Sequence, residues 1–126
     1  MQLLDWAQEK CIPVLAICRG MQMMGIWAGA ELKPVDGHVR TRHLLQNTAG
    51  ESLGTVNSYH QFALAETPVG FVALARAEDG ALEAMRHESL PWLAWMWHPE
   101  RESPFDKTHL DELNRLLQAI ENNDEK

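Results

Sequence analysis

The stretch PVLAICRGMQMM, residues 13–24, carries the pattern that decides the fold of this chain. The apolar run over residues 12–17 is continuous and contains Ile and Val, which is typical of a fully buried strand in a parallel sheet. The run stops at Cys18, and residues 22–28 then show the spacing of a helix. A strand, a tight turn and a helix in this order predict an α/β fold.

The remaining segments predict the other elements of a mixed sheet with flanking helices. Residues 90–97 form a second apolar run rich in aromatic residues, which we interpret as a buried strand beside the first. Asp79-Gly80 predicts a hairpin turn. The other predicted elements are a helix over residues 2–10, strands within 37–45, 53–57, 71–77 and 81–85, and an amphipathic helix over residues 108–121. Because no segment has the composition of a linker, we expect residues 1–126 to form a single domain.

The charge and cysteine content of the chain exclude several classes of function. The 126 residues carry 11 basic and 18 acidic side chains, a net charge of −7, so a general attraction to nucleic acid or to an anionic membrane is not expected. No apolar run approaches the length of a membrane span, and the N-terminal residues do not resemble a signal peptide. The two cysteines, Cys11 and Cys18, suit a reducing cytoplasm.

Cys18 lies where the first buried strand is expected to turn into a helix. This junction has the geometry of a nucleophile elbow, with small residues beside the nucleophile and the turn residue exposed at the carboxyl end of the sheet. The helix N-terminus would favour the thiolate, and the backbone N–H of Arg19 would point towards a developing oxyanion. The alternative is that Cys18 is a small apolar residue packed in the core.

A thiolate nucleophile needs a base, and the second apolar run ends in a candidate. His98 and Glu100 follow that run in the sequence WHPE. If the two buried strands are parallel neighbours, His98 emerges at the same sheet edge as Cys18, and Glu100 can orient its imidazole. A satisfied surface histidine is the alternative interpretation of His98.

Three motifs together resemble one known family. CRGMQ at residues 18–22, VNSYHQ at 56–61 and WHPE at 97–100 occur in this order, as in the class I glutamine amidotransferase superfamily. The chain most resembles its γ-glutamyl hydrolase branch, which includes peptidase C26 and γ-glutamyl-GABA hydrolase-like enzymes, because Arg19 is common there. The resemblance implies a flavodoxin-like fold, of which this chain would be the C-terminal portion.

The resemblance also implies a reaction and its residues. A triad of Cys18, His98 and Glu100 would cleave a γ-glutamyl amide through a glutamyl thioester, and Gln22 would bind the glutamyl group. No metal or organic cofactor is implied, and His98 with Glu100 lacks the further ligands that a metal would need. The segment Ser58, Tyr59 and His60 borders the site in the family, so we expect these residues to contact substrate or to support the site.

A basic segment, GHVRTRH, suggests that the substrate carries an anion. With the side-chain period of a strand, His38, Arg40 and Arg42 would share one face, and arginine binds phosphate or carboxylate with paired hydrogen bonds. A γ-glutamyl nucleotide conjugate or amidate would fit; a polyamine-pathway or folate-type acid would fit less specifically. Arg40→Ala and Arg42→Ala are then expected to raise KM. A solvated edge strand, whose charges discourage aggregation, is the alternative.

One family feature is not found upstream of Cys18. Family members carry a Gly-rich loop that donates a second oxyanion N–H, whereas the 17 residues before Cys18 contain no glycine. Three explanations are open: a fragment or misassigned start, which we favour because the triad and Gln22 are present; a homodimer or second chain that covers the sheet; or a reduced, inactive relative.

Two other functions compete with a γ-glutamyl amide hydrolase. One is a glutaminase subunit that supplies ammonia to a synthase, against which Arg19 and the lack of a tethered domain count. The other is a truncated, catalytically impaired binding domain, which the missing loop favours.

Overall fold

The computed structural model describes residues 2–101 together with Asp111 and Arg115. The predicted helix over residues 108–121 lies outside this part of the chain, apart from those two residues, which have helical backbone conformation. The elements, in chain order, are α1 (Gln2–Lys10), β1 (Val14–Ile17), α2 (Arg19–Trp27), β2 (Leu32–Pro34), β3 (Val39–Gln46), β4 (Ser52–Tyr59), β5 (Phe62–Leu64), β6 (Phe71–Ala77), β7 (Leu82–His87), β8 (Trp92–Trp95) and a 3₁₀ turn (Pro99–Arg101).

Six of the strands form a mixed sheet in the order β1-β8-β7-β6-β3-β4, and β2 and β5 form a separate antiparallel pair. Within the larger sheet β1 and β8 are parallel, with Ile17 opposite Trp95, and the other neighbours are antiparallel. The predicted parallel pairing of the two buried strands is therefore confirmed. Because the two strands run the same way, their carboxyl ends lie at the same edge of the sheet.

Strand β8 lies at the centre of the core, which explains its continuous apolar sequence. All four of its residues are buried. One face contributes Trp92 to a cluster with Met21 and Met24 of α2, and the other contributes Leu93 and Trp95 to a second cluster. A strand covered on both faces has no polar face, so period-2 alternation is absent.

The two helices are tied to each other and to the sheet by tryptophan side chains. The indole N–H of Trp27 in α2 donates to Asp5 Oδ1 in α1, at 2.8 Å, and that of Trp92 donates to the Ile12 carbonyl, at 3.1 Å. The Trp92 side chain is buried and that of Trp27 is half-buried, and the indole N–H of each has a hydrogen-bond partner. None of the helices in the described residues is long and apolar enough to cross a membrane.

Most predicted strands are present with shifted ends, and two strands were not predicted. The hairpin turn at Asp79-Gly80 is confirmed, since Gly80 has a φ of +89° and its N–H donates to the Ala77 carbonyl. Strands β2 and β5 span three residues each, and all of β2 is solvent-exposed. Segments this short have too few residues to show a periodic pattern.

Candidate active site

Cys18 occupies a strained turn between β1 and α2. Its backbone has a φ of 50° and a ψ of −104°, a left-handed conformation that is uncommon for a residue with a side chain. Its N–H donates to the Trp95 carbonyl of β8, at 2.7 Å, and its carbonyl accepts from Gln22 N–H, at 3.1 Å. The residue thus ends the sheet and begins the helix at once, which is the geometry predicted for a nucleophile elbow.

The small residues around Cys18 have a steric reason. A Cβ added to Gly20 would lie 3.4 Å from the Cβ of Ala16. The end of β1 and the first turn of α2 are therefore in close contact across the turn. Side chains larger than alanine at either position would push the strand and the helix apart.

His98 follows β8, and hydrogen bonds from a neighbouring side chain hold the His98 backbone in place. The side-chain amide of Asn57 in β4 donates through Nδ2 to the His98 carbonyl and accepts the His98 N–H through Oδ1, both at 2.8 Å. Asn57 is buried, and His98 is half-buried. Sequence reasoning did not assign a role to Asn57, although it lies within the VNSYHQ motif.

Tyr59 and Arg101 lie beside the His98 imidazole. The centroids of the Tyr59 and His98 rings are 6.0 Å apart in an edge-on arrangement, and the Arg101 guanidinium lies 4.3 Å from the Tyr59 ring centroid. Tyr59 is 40% exposed, so this part of the site is accessible from solvent. The role of Tyr59 in substrate contact or site support stays a prediction; sequence reasoning missed Arg101.

The prediction that His38, Arg40 and Arg42 share one strand face is wrong. A bulge between Val39 and Thr41 interrupts the β3–β4 register, and Arg40 within it has a φ of 53°. The extra residue shifts the alternation. As a result His38 is buried, whereas Arg40 and Arg42 are exposed.

The register of β3 and β4 places Arg42 on the side of His98. Arg42 lies directly opposite Asn57, and residues opposite each other across two strands point to the same face. Asn57 contacts the His98 backbone from that face. Arg42 also donates to the Thr55 carbonyl, at 3.3 Å.

Ser58 and His60 point away from this face into the protein. Ser58 Oγ donates to the His38 carbonyl at 2.7 Å, and His60 Nδ1 lies 2.9 Å from the Phe62 carbonyl. Both side chains are buried. Of the two roles expected for them, burial favours support of the site over contact with substrate.

The other predicted site residues have these positions. Gln22, on the first turn of α2, donates through Nε2 to the Phe62 carbonyl at 2.8 Å. Arg19 is the first residue of α2, and its side chain is exposed. The backbone of Glu100 lies in the 3₁₀ turn Pro99–Arg101, while its side chain is outside the described part of the structure.

Comparison with known proteins identifies the family. The family described as glutamine amidotransferase class-I matches residues 1–114. The γ-glutamyl-CDP-amidate hydrolase of Campylobacter jejuni is 30% identical over 102 residues, which cover 81% of this chain and 50% of that protein. A glutamine-hydrolysing GMP synthase subunit of Methanosarcina barkeri is 33% identical over 103 residues, which cover 76% of this chain and 54% of that protein.

Solved structures agree with the fold. A glutamine amidotransferase of Thermotoga maritima superposes with a TM-score of 0.70 at 17% identity, covering 95% of this chain and 54% of that one. The chain thus spans about half the length of these relatives. The flavodoxin-like α/β fold expected from the sequence is confirmed, and the chain belongs to the class I glutamine amidotransferase family.

Proposed function

We propose that this chain is a cysteine-dependent hydrolase of γ-glutamyl amide bonds that acts through a glutamyl thioester. The observation that carries the proposal is the strained backbone of Cys18, which lies at the end of β1 beside the parallel strand that leads to His98. Strain of this kind is concentrated at functional sites, because a purely structural turn would relax it with glycine.

The reaction follows from nucleophilic catalysis by a thiolate. Cys18 Sγ attacks the γ-carbonyl carbon, and the carbonyl π electrons move to oxygen, where the N–H of Arg19 stabilises the negative charge. His98 has by then taken the thiol proton of Cys18. When the oxyanion collapses, the C–N bond breaks and His98 gives this proton to the leaving amine.

The second half of the reaction regenerates the enzyme. His98 removes a proton from water, whose oxygen attacks the thioester carbon. Collapse of this intermediate breaks the C–S bond and releases glutamate. In this scheme Glu100 orients the His98 imidazole and stabilises its protonated form.

We assign Gln22 to the glutamyl group. Its amide is fixed by the hydrogen bond to Phe62 on β5, and it stands one helical turn after Cys18. A side chain held in this way binds a ligand without losing further conformational freedom.

The positive groups beside His98 favour a substrate whose leaving amine carries an anion. Arg42 lies opposite Asn57, on the same sheet face, and the Arg101 guanidinium lies over the Tyr59 ring, which supports an anion-binding role for both arginines on the side of His98. Guanidinium groups bind phosphate oxygens in pairs. A γ-glutamyl nucleotide amidate is therefore the substrate class we infer, and the relative from Campylobacter jejuni is named for such a substrate.

The second candidate function is that of a glutaminase subunit which delivers ammonia to a synthase. The relative from Methanosarcina barkeri, a synthase subunit by name, favours it. The two functions use the same thioester chemistry and differ in the leaving amine, which is ammonia in this case.

Covalent labelling tests the reaction. A chloromethyl ketone analogue of L-glutamine should add one label to Cys18, as seen by intact mass and peptide mapping, while the D-enantiomer should label much more slowly. Cys11→Ser is the matched control and should label like the parent chain, whereas Cys18→Ser should not label. An unlabelled parent chain would contradict the proposed catalytic role.

Turnover then separates the two candidate functions. Hydrolysis of a γ-glutamyl nucleotide amidate with a higher kcat/KM than that of glutamine supports the hydrolase. The reverse preference would support the glutaminase subunit.

A further inference from the structure

Behind the β3–β4 hairpin, on the face opposite Asn57, lies a group of titratable side chains that the proposed reaction does not use. We call it the histidine cluster, and it consists of His38, His43, His60, Asp79 and Glu83. His38 and Glu83 are each 1% exposed, and His60 is 3% exposed. Buried groups of this kind require compensation for the solvation they lose.

The hydrogen bonds at the rim of the cluster fix the imidazole tautomers. His60 Nδ1 lies 2.9 Å from the Phe62 carbonyl, which only accepts, so this nitrogen carries a proton. His38 Nε2 lies 2.5 Å from Asp79 Oδ2. Half of the Asp79 side chain is exposed to solvent, and its Oδ1 also accepts the Ala81 N–H, at 3.0 Å. Asp79 is thus a carboxylate, and His38 Nε2 donates to it.

These tautomers direct electron pairs towards one point. His38 Nδ1 and His60 Nε2, the nitrogens opposite the fixed N–H groups, are 3.2 Å apart. The Glu83 carboxylate faces both, with Oε1 3.4 Å from His38 Nδ1 and Oε2 3.4 Å from His60 Nε2. Neutral rings in these tautomers have no hydrogen to share there, so the buried acceptors repel one another unless a cation lies between them.

Two side-chain atoms of the histidine cluster are buried without a hydrogen-bond partner among the described residues. They are His43 Nε2 and Glu83 Oε1. The His43 ring lies against the His38 ring at a tilt of 45°, with ring centroids 4.1 Å apart. One ligand atom from each of His38, His43 and Glu83 lies within 4.8 Å of the others.

We propose that the histidine cluster binds a divalent transition-metal ion of the Zn²⁺ class through His38 Nδ1, His43, His60 Nε2 and the Glu83 carboxylate. In a tetrahedral zinc site, metal–nitrogen bonds of about 2.0–2.1 Å place neighbouring ligand atoms about 3.3 Å apart. The separations of 3.2 and 3.4 Å among the ligand atoms of His38, His60 and Glu83 match this spacing. The ligand atoms of His38, His43 and Glu83 lie within 4.8 Å of one another, so His43 would move closer when the metal binds. Three neutral imidazoles and one carboxylate are ligands that zinc accepts.

Asp79 would support the site through its hydrogen bond with His38, without binding the metal itself. When the other ring nitrogen of a histidine ligand donates to a carboxylate, this hydrogen bond orients the ring and increases its basicity. Four protein ligands leave no open coordination position, so the metal would be structural. It would join β3, the segment after β4, and β7, and it would hold the Phe62 carbonyl to which Gln22 also donates.

Metal binding to the chelator-treated chain tests the proposal without any assay of activity. We expect one equivalent of Co²⁺ to bind with the visible d–d bands of a tetrahedral site, to be displaced by Zn²⁺, and Zn²⁺ to raise the unfolding temperature. Asp79→Asn should weaken binding roughly 10- to 100-fold. Glu83→Gln should weaken it further, because it removes a ligand, and His87→Gln is the control outside the cluster.

Several outcomes would overturn the proposal. They are absence of stoichiometric binding, equal affinity in the parent chain and Glu83→Gln, and thiolate-to-cobalt bands that disappear in Cys18→Ser. If Glu83→Gln does not fold, half-buried His43 provides the second variant, and unchanged affinity in folded His43→Gln would be decisive against the site. NMR that shows a doubly protonated His38 with Zn²⁺ present would assign the central charge to a proton instead.

Discussion

The side-chain amide of Asn57 brackets the backbone of His98, donating to its carbonyl and accepting its N–H, both at 2.8 Å. This pair of bonds joins β4 to the segment that leaves β8, two parts of the chain 41 residues apart. Since the backbone of the proposed base is fixed, its imidazole is presented from a defined position. Such positioning reduces the reorganisation that catalysis would otherwise require.

Loss of these two hydrogen bonds should slow the chemical step more than it weakens the binding of substrate. Asn57→Asp keeps the acceptor for the His98 N–H but replaces the donor to its carbonyl with a repelling oxygen. We expect labelling of Cys18 to slow roughly 100-fold, the scale of a displacement of about 1 Å, with little change in KM for glutamine. Asn47→Ala, which removes two hydrogen bonds that the Asn47 side chain accepts in an exposed turn, is the control. Equal loss in both variants would indicate general destabilisation.

Arg42 should contribute to binding of the anionic part of the substrate. A hydrogen bond to a charged group contributes about 1.5–3 kcal/mol, so Arg42→Ala should raise KM for a γ-glutamyl nucleotide amidate roughly 10- to 100-fold and leave glutamine hydrolysis unchanged. Arg42→Lys should recover only part of the loss, since lysine lacks the paired donors.

Two arginines provide comparisons for Arg42. Arg40 lies in the bulge, so we expect a smaller rise in KM for Arg40→Ala. Arg76 donates to the Gly80 carbonyl in the β6–β7 hairpin and to Thr67 Oγ1. Arg76→Ala should therefore not change KM. A larger effect at Arg76 than at Arg42 would exclude the assignment.

The strain at Cys18 should be measurable as stability. A residue with a side chain that is held at positive φ lowers the stability of the folded state by about 1–3 kcal/mol. Glycine relieves this strain, at an entropic cost of about 0.5–1 kcal/mol. Cys18→Gly should therefore be more stable than Cys18→Ala by about 1 kcal/mol. Urea unfolding with equal slopes measures this difference, and a more stable Cys18→Ala would show that the turn is relaxed.

His87 should make stability fall on acidification. Its Nδ1 accepts from the N–H groups of Ser89 and Leu90, at 3.1 and 3.0 Å. Desolvation lowers the pKa of His87 below its ordinary value of 6.5, against the opposing charge of Glu88. The unfolded chain therefore binds more protons below pH 6.5 than the folded chain does.

It follows that the contribution of His87 is complete above pH 6.5 and declines as the pH falls towards the lowered value in the folded state. His87→Asn keeps an acceptor near Nδ1 but does not titrate. Thermal unfolding at a series of pH values should show a shallower acid decline in this variant. Parallel curves would contradict the prediction.

The local sequence was sufficient to predict the two strands that position Cys18 and His98. Continuous apolar runs identified the two buried strands, because residues covered on both sheet faces show no alternation. The motifs around residues 18–22, 56–61 and 97–100 then identified the family.

Other features depend on contacts that no local pattern contains. The spacing of His38 and His43, with four residues between them, is within the range seen for zinc ligands and could have been noticed. His60 and Glu83, however, come from other segments, and only strand pairing brings them into the same interior.

The sequence by itself therefore determined the fold class and the elbow at Cys18, since these rest on periodicity and on the size of neighbouring residues. The family followed from the resemblance of three motifs. Tertiary structure decided which face each side chain of β3 and β4 occupies. One extra residue at Arg40 shifts the alternation of the strand. This shift places His38 in the interior, together with His60, and it places Arg42 on the face of Asn57. The register between distant strands is fixed only when the whole sheet has formed.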